Sequence, residues 1–196
     1  MVAVSSEETP QKQDGRHQRV ERGKAAVMEA LMGLFAEGKY APSIAEVAER
    51  AGVSERTLFR YFSSFNDLVA EAIAHIYPRV QPFFFAAPPD GPLEVRMYEL
   101  AKLRVDFCAK YSVISITLDN LAYRASAAAG ARYARSIMLT DQLKNWLGKD
   151  LERINEEKLC LLALVFDIPN VLSMYTLVGD KAARVISDAA LAIIEN

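Results

Sequence analysis

The chain is poor in the residues that build disulfide frameworks and metal sites. Its 196 residues include two cysteines and two histidines. Cys108 and Cys160 each lie among apolar residues at helical spacing, so we expect two reduced core thiols in a cytoplasmic protein. His17 and His75 are far apart and have no ligand pattern around them, which argues against a metal site.

Long apolar runs are also missing. The longest candidate, residues 159–178, is interrupted by Asp167, Pro169 and Asn170, and a transmembrane helix needs roughly 18–20 uninterrupted apolar residues. Residues 1–15 lack the apolar stretch of a signal peptide. They are rich in Ser, Glu, Gln, Lys and Pro, so we expect a disordered arm there and no membrane partner.

Enzyme signatures are absent as well. The sequence has no glycine-rich phosphate loop, no Cys/His metal spacing and no Ser-His-Asp set. We therefore expect neither catalysis nor a cofactor.

The net charge of −2 does not by itself indicate a nucleic-acid partner. Basic residues nevertheless cluster in two short stretches, residues 16–24 and 56–60. Clustering matters more than the total, because only a contact face has to neutralise phosphates. The first cluster could equally be the solvated start of a helix.

Helical periodicity begins near Arg19, and no strand alternation appears after Leu93, which predicts an all-α fold. Gly38 should end the first helix. Three serines then predict the N-termini of helices: Ser43 in a capping box, Ser54 after a glycine break, and Ser64 before a longer helix. Two prolines, Pro78 and Pro82, should punctuate the far end of that longer helix.

The second half of the chain reads as further amphipathic helices after the breaker cluster at residues 88–92. One face runs over residues 93–111 and a shorter one over residues 114–121. Another helix covers residues 126–146, and a long apolar one covers residues 155–178. Gly179 should stop it, and Asp180 should cap a last helix. We expect domains at residues 16–64 and 65–196.

Residues 44–62 carry the most informative pattern, two short helices packed at a steep angle. Ile44, Val47 and Leu58 supply a small shared core, and Gly52 supplies the backbone freedom of a tight turn. The second helix turns its amino-terminal end outward, where free N–H groups and partial positive charge favour phosphate. This arrangement predicts a helix-turn-helix that enters the DNA major groove.

Particular side chains suit particular DNA contacts. Arg56 can read guanine by a bidentate bond, and Thr57 can meet a base edge or methyl group. Glu55 and Arg56 could instead form only an exposed ion pair. Phe59 could contact DNA or pack in the core, whereas we expect Phe62 in the core. The candidate DNA-binding residues are Arg19, Ser43, Ser54, Glu55, Arg56, Thr57, Phe59, Arg60 and Tyr61.

The letters GVSERTLFRYFSSFNDL at residues 52–68 resemble the signature Gly-Val-Ser-x-x-Thr-Leu-Tyr-x-His-Phe-x-x-Lys-x-x-Leu of the TetR family of transcriptional regulators. The resemblance covers roughly residues 19–75. Two of the departures from it bear on DNA contacts. Phe65 replaces a lysine that contacts a phosphate in the family. Its absence should lower the slope of log binding constant against log salt concentration by about one unit. Tyr61 replaces a common histidine, but a phenol can still donate to phosphate.

The resemblance implies an N-terminal three-helix helix-turn-helix domain and a C-terminal helical domain that holds a ligand cavity and dimerises through its last two helices. Asp167 could contact the ligand, bond across helices or subunits, or be simply exposed. The candidate ligand-binding residues are Met97, Leu100, Arg104, Phe107, Tyr111, Leu118, Tyr123, Trp146, Phe166, Asp167, Met174 and Tyr175.

These features together predict a DNA-binding regulator, and a repressor released from its operator by a small hydrophobic or amphipathic effector. A homodimer would place two recognition helices about 34 Å apart on a pseudo-palindromic operator in double-stranded DNA. One alternative is a ligand-binding or protein-interaction protein with a vestigial helix-turn-helix. A second is a helical small-molecule enzyme, which the missing catalytic residues disfavour.

Overall fold

A computed structural model describes residues 11–196, with side chains from His17 onward. In that part of the chain every regular element is a helix. The chain divides into two units between Leu68 and Val69. The all-α prediction is therefore confirmed for the described residues.

The first unit contains α1 (Gln11–Ala36), α2 (Ile44–Arg50), α3 (Glu55–Tyr61) and the start of α4 (Phe65–Phe85). Helix α1 packs against both α2 and α3. Because α2 and α3 have only seven residues each, they depend on this platform for burial. Val27, Leu31 and Leu58 are fully buried at its centre.

Two predicted boundaries in this region are wrong. Helix α1 already begins at Gln11, so residues 11–15 of the predicted arm are helical, while residues 1–10 lie outside the described residues. Helix α4 continues through Pro78 and Pro82 to Phe85. Each proline removes a helical hydrogen bond to the carbonyl four residues earlier, but Ala74 and Pro78, which carry those carbonyls, are exposed to water.

The second unit is built around α5 (Leu93–Leu121), which contacts α6 (Ser126–Leu147), α8 (Ile168–Val178) and α9 (Ala182–Glu195). Helix α5 is kinked at Tyr111, whose φ and ψ are −130° and 19°. This kink lies between the two apolar faces expected from the sequence. The second unit also contains α4 from Val69 onward, helix α7 (Glu156–Val165) and two 3-10 turns, Gly148–Arg153 and Gly179–Lys181.

The predicted single helix over residues 155–178 is two helices in the structure, α7 and α8. Asp167 separates them because its carboxylate accepts the Ile168 N–H as the N-cap of α8. The predicted cap of the last helix is also wrong. Asp180 lies in a 3-10 turn, Gly179–Lys181, and the N-cap of α9 is Lys181, which makes no side-chain capping bond.

The two cysteines differ in environment. Cys108 is buried in the core of the second unit, as expected, but Cys160 is exposed on α7. Among residues 11–196, no single helix is long and apolar enough to cross a membrane. One pair, Glu156–Val165 with Ile168–Glu195, meets the length and composition only together and is bent by 50°.

Candidate DNA-binding surface and ligand pocket

Side-chain caps position the two helices of the helix-turn-helix. Ser43 and Glu46 form the predicted capping box: Glu46 N–H donates to Ser43 Oγ at 3.2 Å, and Ser43 N–H donates to Glu46 Oε2 at 2.8 Å. Ser54 Oγ accepts the Thr57 N–H at 3.2 Å. Gly52, with φ +66°, makes the turn between them, a conformation that residues with a Cβ rarely adopt.

The Ser43–Glu46 box holds a negative charge at the start of α2. The Ser43 N–H, the Lys39 ammonium and the Ser43 hydroxyl lower the pKa of Glu46 to about 2. Ser43 Oγ donates its proton to Glu46 Oε2 at 2.9 Å. To donate its hydroxyl proton to DNA, as a predicted DNA-binding residue, Ser43 would have to give up this bond.

Helix α3 has one buried face and one exposed face. Leu58 and Phe62 are buried, which confirms the prediction for Phe62. On the other face Ser54, Glu55, Arg56 and Arg60 are exposed. Phe59 is 44% exposed, so the structure leaves its ring available to a partner and does not place it in the core.

The two arginines of α3 are free to meet phosphate or base. Among the described residues, neither Arg56 nor Arg60 has a carboxylate within ion-pair distance. The alternative of a Glu55–Arg56 ion pair is therefore not what the structure shows. The Arg60 guanidinium lies 5.5 Å from the centre of the Tyr61 ring.

Close packing against α1 sets the position of Tyr61. A Cβ atom at Gly23 would lie 2.3 Å from Tyr61 Oη, so only glycine allows the phenol to approach the helix so closely. Arg19, one turn earlier on α1, is exposed. The structure thus places the hydroxyl of Tyr61 beside the basic stretch of α1 at residues 19–24.

Most of the predicted cavity residues form a packed core instead. Met97, Leu100, Phe107, Trp146 and Phe166 are buried in one cluster. Four further candidates are half-buried: Tyr111, Leu118, Met174 and Tyr175. Tyr123 is 84% exposed, so its assignment to an internal cavity is wrong: it follows the last turn of α5, where the chain leaves the core.

Arg104 is the one charged residue in this predicted set that is fully enclosed, with 1% of its surface exposed. Its Nη1 donates to Gln142 Oε1 at 2.6 Å. Nε and Nη2 are buried without a hydrogen-bond partner. Burial lowers the pKa of Arg104 to about 9, and the negative charge of Asp167 opposes part of that fall.

An open pocket of about 470 Å³ lies beside α6 and the start of α8. Of the predicted ligand residues it includes Asp167. Its lining is Asp119, Ala129, Arg132, Tyr133, Arg135, Ser136, Asp167 and Pro169.

The buried side chain of this pocket is Arg135, which sequence reasoning missed. It is 7% exposed; its Nη2 donates to Asp119 Oδ1 at 2.8 Å, and its Nη1 has no hydrogen-bond partner. A signal was present, because Arg135 shares one helical stripe with Leu139, Gln142 and Trp146. A charged residue on an apolar stripe indicates a special environment.

A second, apolar groove of about 270 Å³ lies between the α7–α8 corner and α9, lined by Leu164, Val165, Asn170, Met174, Val185, Ile186 and Ala189. Large apolar side chains nearby are exposed, including Leu161, Leu164 and Leu177. Contiguous exposed apolar surface of this kind is typical of protein–protein interfaces.

Comparisons with known proteins agree with this architecture. Residues 27–72 match the family model of bacterial regulatory proteins, tetR family. This match covers α2, α3 and parts of α1 and α4. No curated protein matches the chain.

Solved structures share the fold at low sequence identity. A transcriptional regulator from Rhodococcus sp. Rha1 is 17% identical with a TM-score of 0.63, over 90% of this chain and 96% of that chain. A TetR transcription regulator from Haloarcula marismortui is 14% identical with a TM-score of 0.60, over 89% and 97%. The chain is therefore a DNA-binding transcriptional regulator whose helix-turn-helix segment, residues 27–72, is similar to that of the tetR family and whose fold is shared with these solved regulators.

Proposed function

We propose that the protein is a homodimeric repressor that leaves a pseudo-palindromic operator when a small molecule binds its second unit. The observation that carries the proposal is the outer face of α3. Arg56 and Arg60 are exposed there, without an ion-pair partner among the described residues, near a helix start that Ser54 caps.

The exposed and half-buried groups on this face suit different DNA contacts. Arg56, in the first turn, would form a bidentate bond to guanine, and Thr57 would meet a base edge. Arg60 and the Tyr61 hydroxyl suit phosphate oxygens, which fix register without reading sequence. Arg19 on α1 would add a phosphate contact. A protein of net charge −2 can bind DNA in this way because the basic groups are concentrated on one face.

The apolar surface of α7, α8 and α9 supports the dimer. Leu177 is 78% exposed, and the groove beside Leu164 and Val185 is almost wholly apolar. Burying such surface against a second copy would remove it from water, at roughly 25 cal/mol per Å² of apolar area. Two-fold symmetry in the protein would then match a pseudo-palindromic site.

Release would follow from a difference in ligand affinity between two states of the dimer. A ligand shifts the population only as far as it prefers one state, and coupling of about 1–3 kcal/mol corresponds to about 5–150-fold in DNA affinity. The ligand would occupy the second unit, where the described pocket lies.

Selection from a pool of randomised DNA duplexes tests the DNA-binding half of this proposal. The full chain should enrich a two-fold symmetric motif. Arg56→Ala should lose the motif, and Arg60→Ala should weaken binding about equally for all sequences. Lys149→Ala, an exposed change of the same charge in the second unit, is the matched control and should bind as the parent does.

The same experiment tests the alternative that the helix-turn-helix is vestigial and does not bind DNA. If the parent enriches no motif and binds no duplex at low salt, the outer face of α3 serves another contact and the repressor proposal fails. If it binds DNA but Lys149→Ala weakens binding as much as Arg56→Ala, the assigned surface is wrong.

A further inference from the structure

The pocket beside α6 is polar in a way that the buried core around it is not. Its lining carries two arginines, Arg132 and Arg135, and two aspartates, Asp119 and Asp167. Its volume of about 470 Å³ lies within the usual range of roughly 300–1,000 Å³ for small-molecule sites.

Arg135 is the group in this lining whose hydrogen bonding is incomplete. Asp119 accepts from Nη2, while Nη1 is buried and without a partner in the described structure. A buried donor without an acceptor costs roughly 1–3 kcal/mol, and more when it is charged. An acceptor bound in the pocket would remove that cost.

A second guanidinium lies deeper in the same unit. The charges of Arg104 and Arg135 both act on Cys108, whose pKa burial raises to about 12. The buried Cys108 thiol is therefore neutral and is not a counterion for either arginine. Within the described part of the chain, Arg104 has no carboxylate within ion-pair distance, and its Nε and Nη2 have no hydrogen-bond partner.

The two carboxylates of the pocket lining, those of Asp119 and Asp167, are already engaged by protein donors. Asp119 is occupied by Arg135, and Asp167 Oδ1 accepts the Ile168 N–H. Neither carboxylate is hydrogen-bonded to Arg135 Nη1 in the described structure, so an anionic acceptor from a ligand would complete the bonding of this guanidinium.

We infer that this pocket binds a small organic carboxylate, whose oxygens accept from Arg135 Nη1 at its buried wall. A carboxylate matches the fork of a guanidinium, and such charge-assisted bonds are stronger than neutral ones. Tyr133, which is largely exposed at the pocket, and Pro169 offer apolar surface to the rest of the molecule. The inference deepens the proposed function by naming the class of the effector and rests on it for the link to DNA release.

Calorimetric titration of the full chain with three matched probes tests this site. Benzoate is the carboxylate, and benzyl alcohol and benzylamine are its neutral and cationic counterparts. We expect saturable binding of benzoate at one site per chain and none of the other two. Arg135→Gln should weaken benzoate binding at least about tenfold, and Lys149→Gln should leave it unchanged.

A conservative variant shows whether weaker binding comes from the lost guanidinium or from misfolding. Arg135→Lys keeps the charge but loses the fork, so it should bind benzoate with affinity between the parent and Arg135→Gln. Absence of benzoate binding at millimolar concentration, preference for benzylamine, or equal affinity in Arg135→Gln would each overturn the inference.

A DNA-binding measurement then separates the two proposals. If benzoate binds through Arg135 but leaves DNA affinity unchanged, the carboxylate site stands and ligand-driven release fails. If benzoate does not bind, yet a molecule co-purified with the protein releases DNA, the carboxylate site fails and the proposed function stands.

Discussion

Arg104 Nη1 donates a 2.6 Å hydrogen bond to Gln142 Oε1, so the buried faces of α5 and α6 are joined by a cation and an amide. Gln142 Nε2 in turn donates to the carbonyl oxygens of Phe83 and Ala86, at 3.1 and 3.2 Å. The amide is thus held in place by the end of α4, and it orients the guanidinium. The cation nevertheless has no counterion within ion-pair distance.

We expect Arg104→Met to stabilise the protein in the absence of ligand. The substitution removes a buried charge and fills similar volume. Gln142 keeps both bonds to backbone carbonyls, and the loss of the donor to its Oε1 costs less than burying the unpaired charge. A gain of about 1–3 kcal/mol in the free energy of unfolding is expected near neutral pH. Urea unfolding measures it, with Lys102→Met, an exposed change on the same helix, as control. A loss of stability would show that the guanidinium is already compensated in the folded protein.

The advantage of Arg104→Met should shrink in alkaline solution. The pKa of Arg104 is lowered from 12.5 to about 9 in the folded protein, so the cost of its charge is fully present below pH 9. Above pH 9 the folded parent loses this proton while the unfolded chain keeps it, and the parent gains stability relative to the variant by about 1.4 kcal/mol per pH unit. Unfolding of both proteins between pH 8 and about 10.5 tests this.

Gly23→Ala should destabilise the DNA-binding unit even though alanine favours helices. The new Cβ would lie 2.3 Å from Tyr61 Oη, so the ring must move, at a cost of about 1–3 kcal/mol. Gly33→Ala is the matched control on α1. Its Cβ would meet the end of the flexible Arg50 side chain, at 2.9 Å, which can give way.

Thermal unfolding and DNA binding measure this pair of variants. Gly33→Ala should be neutral or more stable, by up to about 1 kcal/mol. The double variant Gly23→Ala with Tyr61→Ala should recover the stability lost to the clash. Equal stability of the two single glycine variants would contradict the assigned packing of Tyr61.

Acid should weaken the capping box of α2 selectively. The folded pKa of Glu46 is lowered from 4.5 to about 2. The contribution of its carboxylate to the free energy of unfolding is therefore complete above pH 4.5 and is lost as the pH falls toward 2. Glu46→Gln does not titrate and should lose less stability than the parent over this interval. Glu49→Gln, an exposed change on the same helix, should follow the parent; identical acid curves for the parent and Glu46→Gln would refute the prediction.

Leu177→Asp should convert the proposed dimer into a monomer. The side chain is 78% exposed in the single chain, so a charge there costs little until a second copy would bury it. Tyr123→Asp, at another strongly exposed apolar residue, should not change the molecular mass in solution. Sedimentation equilibrium distinguishes them, and a parent that is monomeric at every concentration would contradict the dimer.

Local chemistry determined the parts of the structure that the sequence predicts well. The caps at Ser43 and Ser54 act over three residues, and Gly52 needs only its own backbone angles. The motif at residues 52–68 combines these devices, so the helix-turn-helix and the DNA-binding class could be predicted without the structure. Prediction failed where a local rule depends on its surroundings. Pro78 and Pro82 are predicted at the end of α4 but lie inside it, because carbonyls that can bond to water tolerate the loss of a helical hydrogen bond.

The pocket belongs to what tertiary structure alone decided. Arg135 meets Asp119 across 16 positions, and Asp167 reaches the same pocket from the α7–α8 corner. Tyr123, with similar apolar chemistry to the core aromatics, is on the surface. Sequence periodicity shows which side of a helix is apolar, but whether that side meets a packed core, a pocket or solvent depends on distant helices, since packing is set by all neighbours at once.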